Sequence, residues 1–197
     1  MSELATFFQV GFRHIVSVSA MDHVLFLLVL AAIYRLRDWR DALWVVSAFT
    51  VGHSITLALA VTGAVRLPTG LIEFLIPLTI VATCIENLVV TDRTRAPWGG
   101  RYRPVFAGVF GLVHGAGFAN YLRDLFVDRV ALPLLGFNLG IEAGQIVVLA
   151  MAAGAFALVD AGLRAAPVRT PLRVRVVAVS SCVALIACVW AAQRSPW

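Results

Sequence analysis

Charge is scarce in this chain. Only 14% of its 197 residues are Asp, Glu, Lys or Arg, against 60% hydrophobic residues and a mean hydropathy of +0.89, and that balance excludes a soluble globular domain. Lysine is absent, so all sixteen basic residues are Arg, set in short clusters between apolar runs. The net charge of +5 is therefore a topology signal and implies no nucleic-acid partner. Cysteine is also sparse: Cys84, Cys182 and Cys188 lie inside apolar stretches without CxxC spacing, which argues against a disulfide framework and against a thiolate zinc site. The opening M-S-E-L-A has no basic n-region and no recognisable cleavage site follows, so a cleaved signal peptide is not expected.

What is abundant is apolar sequence in long runs. A helix needs about 20 such residues to cross a bilayer, and runs of that size fall at about 15–34, 42–64, 70–91, 104–122, 132–159 and 172–192. The expected fold is all-α: a polytopic membrane protein forming one transmembrane domain of six helices over residues 1–197. Short linkers carry the breakers, among them R-L-P-T-G at 66–70 and R-A-A-P-V-R-T-P at 164–171. Eleven Arg residues, at 35–40, 93–103 and 164–175, fall on one side of this bundle, and Arg13, Arg66, Arg123, Arg129 and Arg194 on the other. Positive loops stay in the cytoplasm, so both termini are expected outside it, with the protein in the inner (cytoplasmic) membrane. Residues 5–13 read as a short interfacial segment ahead of the first span.

Ionisable groups inside hydrocarbon cost roughly 2.5–3.5 kcal/mol each on insertion scales, so each needs a reason. Span 1 carries Asp22 and His23, span 2 His53, span 3 Glu86 beside Asn87, span 4 His114, and span 5 Glu142 between Asn138 and Gln145; span 6 carries none of these. At 1.5 Å per residue, Asp22, His23, His53, His114 and Glu142 all fall about 10–17 Å from the nearer end of their span, at one depth in a ~30 Å core. Their neighbours form polar stripes at helical spacing: Ser19 with Asp22 and His23, Thr79 with Thr83 and Glu86, Asn138 with Glu142 and Gln145. Glycines around His114 and Glu142 allow close helix approach, and Pro77 frees a backbone carbonyl. Ser19, Thr50, Ser54, Thr79, Thr83 and Asn87 read first as interhelical hydrogen-bonding groups. Glu86 lies nearer the cytoplasmic side, and His14 reads either as an outer-mouth ligand or as an interfacial residue.

Imidazole and carboxylate without convergent Cys or Met suit divalent first-row ions: nickel, cobalt, zinc, iron or manganese. Asn and Gln neighbours would fix the His tautomers. F-T-V-G-H at 49–53 and F-G-L-V-H at 110–114 share F-x-x-x-H, each followed on the next span by a Glu, which suggests a parallel repeat.

Gly11 through His14, the Asp22-His23 pair with V-L-F-L-L, A-F-T-V-G-H-S-I-T-L at 48–57, I-E-N at 85–87, F-G-L-V-H-G-A-G-F-A at 110–119 and F-N-L-G-I-E-A-G-Q at 137–145 together resemble the HupE/UreJ membrane proteins. That family is accessory to hydrogenase and urease and is regarded as nickel or cobalt permeases. The resemblance implies metal contacts at His14, Asp22, His23, His53, His114 and Glu142, with Ser19, Glu86, Asn87, Asn138 and Gln145 supporting them or lining the path. The expected function is a permease for a divalent transition metal, nickel or cobalt ahead of zinc, with a metalloenzyme maturation system as a further partner. Two other readings use the same residues: an intramembrane zinc hydrolase in which Glu142 or Asp22 activates water, and a non-transporting metal-binding accessory protein.

Overall fold

The computed structural model describes residues 2–17, 20–92, 96–125, 130–165, 168 and 170–197. Among these residues seven α-helices follow one another: α1 Glu3–Val16, α2 Met21–Ala31, α3 Trp39–Val61, α4 Thr69–Val90, α5 Arg103–Leu125, α6 Ala131–Ala165 and α7 Pro171–Gln193. Among the described residues there is no strand. Local chemistry marks several ends: Ser2 Oγ accepts the Ala5 N–H at 3.4 Å before α1, Pro171 opens α7, and Thr91 ends α4 at φ 51° with its N–H on the Asn87 carbonyl.

Exposure is inverted relative to a soluble protein. Val89 and Leu158 are 78% and 77% exposed, whereas His53, Asn87, Gln145 and Ser180 are wholly buried. Apolar side chains outside and polar ones inside are what a hydrocarbon solvent imposes. Four helical segments are long and apolar enough to cross a membrane: Leu36–Val61, α4, α6 and α7. The bent pair α1 and α2 makes a fifth if it is one broken span.

The first span differs from the continuous helix expected over 15–34. Two helices meet there at a 67° bend, and residues 5–13, expected as an interfacial segment, form most of α1, which packs along α6. Glycine is the cause. A Cβ on Gly11 would lie 2.1 Å from the Phe137 carbonyl oxygen, and one on Gly140 would lie 2.1 Å from that of Phe8. The two backbones touch over Leu4–Gly136, Phe8–Gly140 and Phe12–Gly144, so α1 and α6 run parallel.

The same device joins α3 to α5, where Gly111 meets the Phe49 carbonyl and Gly115 that of His53, again in parallel. Helices α4 and α7 are antiparallel, with Asn87 against Ser180 at one end and Phe74 against Trp197 at the other.

Polar seams hold the pairs together. Arg103 on α5 donates to both Glu86 oxygens and to Asn87 Oδ1 at 2.6 Å, while Tyr102 O–H also donates to Glu86. Burial, then the bond to Glu86, pushes the Tyr102 phenol above its usual range. Asn87 Nδ2 continues to the Val29 carbonyl at 2.6 Å and to Ser180 Oγ, so one knot ties α2, α4, α5 and α7. Arg103→Ala strands the Glu86 carboxylate and is expected to cost about 3 kcal/mol, the lower end for a broken buried pair because Glu86 keeps 22% exposure. SDS-titration unfolding checks this.

Span 6 is richer in charge than expected: buried Arg175 pairs with Asp160 of α6 at 2.5 Å. Arg175 also donates to the carbonyls of Ala32 and Tyr34, just beyond the end of α2. The bilayer explains the pattern, since a cation inside the bundle persists only with its donors satisfied.

Candidate metal centre

All four histidines of the chain come together. His14 comes from the last turn of α1 and His23 from the first turn of α2, and the bend between these helices leaves their rings 4.8 Å apart. His53 on α3 and His114 on α5 lie 6.0 and 5.2 Å from His23, centre to centre. The glycine contact between α3 and α5 lets two imidazole-bearing helices approach this closely. One nitrogen from each of His14, His23 and His53 lies within 4.8 Å of the other two, a spacing that a single ion can bridge with small side-chain adjustments.

The hydrogen-bond inventory is unusual. His14 Nε2, His23 Nε2, both nitrogens of His53 and His114 Nδ1 are buried without a hydrogen-bond partner. Buried polar atoms are normally satisfied, so five orphaned imidazole nitrogens at one point call for a ligand. His114 Nε2 has a partner in Thr79 Oγ1 at 3.0 Å, which orients the ring and leaves Nδ1 for the chamber. Aromatic rings wall the chamber: Phe118 is 3.9 Å from His14, Phe49 5.1 Å and Phe26 5.5 Å from His114, and Phe137 6.0 Å from His14.

The expected carboxylates are engaged elsewhere. Both Asp22 oxygens accept from Arg194 Nη1, at 3.2 and 3.3 Å. Glu142 accepts from Ser47 Oγ at 3.1 Å on the α3–α6 seam, and Glu86 is held by Arg103 and Tyr102. A carboxylate in low dielectric seeks the nearest donor, and these arginines and hydroxyls come from helices whose packing the sequence does not display. No carboxylate joins the three-histidine group among the described residues.

Of the supporting residues, Gln145 accepts from Thr50 Oγ1 at 2.7 Å and Asn87 belongs to the α2–α4–α5–α7 knot. Asn138 Oδ1 is buried without a partner, and Ser19 lies outside the described residues. Arg194, Ser47 and the phenylalanine rings are neighbours of the candidate site residues that sequence reasoning missed. Arg194 had a weak signal as a cation beside an apolar helix end; Ser47 and the rings had none.

A family model described as HupE / UreJ protein matches residues 1–194. The chain belongs to the HupE/UreJ family. Neither a curated protein nor a solved structure matches it. Membership connects the histidine chamber with a family of membrane proteins linked to nickel and cobalt handling.

Proposed function

We propose that this HupE/UreJ protein is an inner-membrane permease for a divalent transition metal ion, nickel or cobalt ahead of zinc. The observation that carries the reading is the convergence of every histidine in the chain on one buried chamber with five unpartnered nitrogens. Imidazole suits these ions.

Helix directions support six spans with both termini outside. If α1 and α2 count as one crossing, spans one and five (α1, α6) and spans two and four (α3, α5) run parallel, while spans three and six (α4, α7) are antiparallel. Strict alternation requires all three relations. Helix α5 then crosses as well, with its glycine face lying against α3. The Arg-rich loops face the cytoplasm in this topology, and they are where a metalloenzyme maturation partner would dock.

Carboxylates complete the path on either side. Asp22 with Arg194 stands next to His23 as an outer latch, and Glu86 with Arg103 lies towards the inner end. Glu142, with a hydroxyl partner and no ion pair among the described residues, is the acid most open to a passing cation. Arg194→Ala is expected to lower the half-saturating metal concentration by up to about fivefold, the equivalent of one partly exposed ion pair. Initial uptake rates against metal concentration read it, and an unchanged curve removes the latch. The hydrolase reading takes Asp22 or Glu142 as the group that activates water, and both are paired away from the histidine cluster.

The experiment is uptake into proteoliposomes. Nickel or cobalt should accumulate well above protein-free vesicles, and purified protein should lose its metal on dialysis against a mild chelator. Absence of flux, with stoichiometric zinc retained through dialysis, would overturn the permease reading.

A further inference from the structure

A cavity of about 840 Å³ opens between α2, α3, α6 and α7 at the end of the bundle that carries the Arg-rich loops. Its volume is in the range of sites that hold a whole organic ligand, roughly 300–1,000 Å³. One face of α6 lines it from end to end and changes character on the way. Ile146, Ala150, Ala153 and Ala157 form an apolar trough of small side chains, followed one turn at a time by Asp160 and Arg164. From Ile146 to Arg164 that face runs about 27 Å at 1.5 Å per residue, close to the ~30 Å hydrocarbon thickness.

The charged end is strongly basic. Arg35, Arg37, Arg164 and Arg175 line it against Asp160 alone. Arg175 is committed to Asp160 and to backbone carbonyls. The others are not so held. Arg164 is exposed and has no ion pair among the described residues, Arg37 reaches Asp38 only at 3.9 Å with 69% of its side chain exposed, and Arg35 spends one nitrogen on Asp92 at 3.4 Å. Asp160 supplies the opposite polarity, because its Oδ1 is buried without a hydrogen-bond partner and so lacks a donor.

We infer that this cavity is a binding site for an anionic phospholipid with a hydroxyl-bearing headgroup, of the phosphatidylglycerol type. An acyl chain fits the alanine trough, the phosphodiester meets Arg37 and Arg164 with Arg35 alongside, and a headgroup hydroxyl donates to Asp160 Oδ1. Arginine forks match phosphate oxygens geometrically, and basic pockets between transmembrane helices are where anionic headgroups settle. A metal ion is a poor occupant, since four arginines against one carboxylate leave the lining cationic. The site is independent of the histidine chamber and of what that chamber carries.

The test is native mass spectrometry of the purified full chain titrated with dioleoyl phosphatidylglycerol, dioleoyl phosphatidylcholine or glycerophosphoglycerol, the deacylated headgroup. Wild-type protein should retain phosphatidylglycerol in preference to phosphatidylcholine and should not retain the headgroup alone. The double variant Arg37→Ala/Arg164→Ala, which leaves the Arg175–Asp160 pair intact, should bind phosphatidylglycerol about thirtyfold more weakly, from roughly tenfold or less per arginine. Its circular dichroism should match wild type. Should the variant fail to fold, Arg37→Gln and Arg164→Gln singly should each weaken binding severalfold. Equal retention of the two lipids, undiminished binding in the folded variants, or equally tight binding of the deacylated headgroup would each overturn the assignment.

Discussion

His53→Ala is expected to abolish nickel and cobalt uptake into proteoliposomes and to lower equilibrium metal affinity by at least about a hundredfold. Partners that only orient a ligand are worth roughly 10–100-fold, and His53 offers the ion a nitrogen directly, one of three within 4.8 Å of each other. Stability should move the other way or hardly at all, because both His53 nitrogens are buried without a partner in the metal-free protein and their removal relieves desolvation. A purely structural histidine would show the reverse pattern: lower stability with metal binding preserved. Isothermal titration and thermal unfolding of the same preparation separate the two. Asp22→Ala, by contrast, should slow uptake at low metal concentration while binding in the chamber persists, since Asp22 pairs with Arg194 and stands outside the cluster.

Gly111→Ala should be among the most damaging single-methyl changes in the chain. The added carbon would stand 2.1 Å from the Phe49 carbonyl oxygen and 2.9 Å from the His53 backbone nitrogen, so α3 and α5 must separate by more than an ångström. Overpacking of this kind typically costs 1–3 kcal/mol, and backbone offers no rotamer of escape, so about 3 kcal/mol is expected. His53 and His114 ride on these two helices, so metal affinity should fall with stability. Gly154→Ala on α6 is the matched control. Nothing lies within 4 Å of its Cβ position, so relief of glycine's backbone entropy should leave the protein unchanged or stabilise it by up to about 1 kcal/mol. SDS-titration unfolding of the two variants should therefore give shifts of opposite sign.

Helices of membrane-spanning length could be read from the sequence because hydrocarbon imposes a length and a polarity on each crossing. The break after Val16 could not be read, because Ser17 to Ala20 hold no proline or glycine and the bend follows from α1 lying on α6. His23, His53 and His114 were legible as costly groups at one depth. His14 was legible only through the G-F-R-H resemblance, since its position near a span end gives the same signal as an interfacial residue. The destinations of the acids were hidden for a different reason. A carboxylate's partner depends on which helices meet, and neither the 172-residue separation of Asp22 from Arg194 nor the 95-residue separation of Glu142 from Ser47 leaves a periodic trace.

X-ray absorption at the metal edge of protein loaded with one equivalent of nickel or cobalt tests the chamber most directly. At least three imidazole nitrogens are expected at about 2.0–2.1 Å, the distance usual for zinc, with one fewer in His53→Ala. A nearest-neighbour set of oxygens alone, or a spectrum indifferent to His53→Ala, would contradict it.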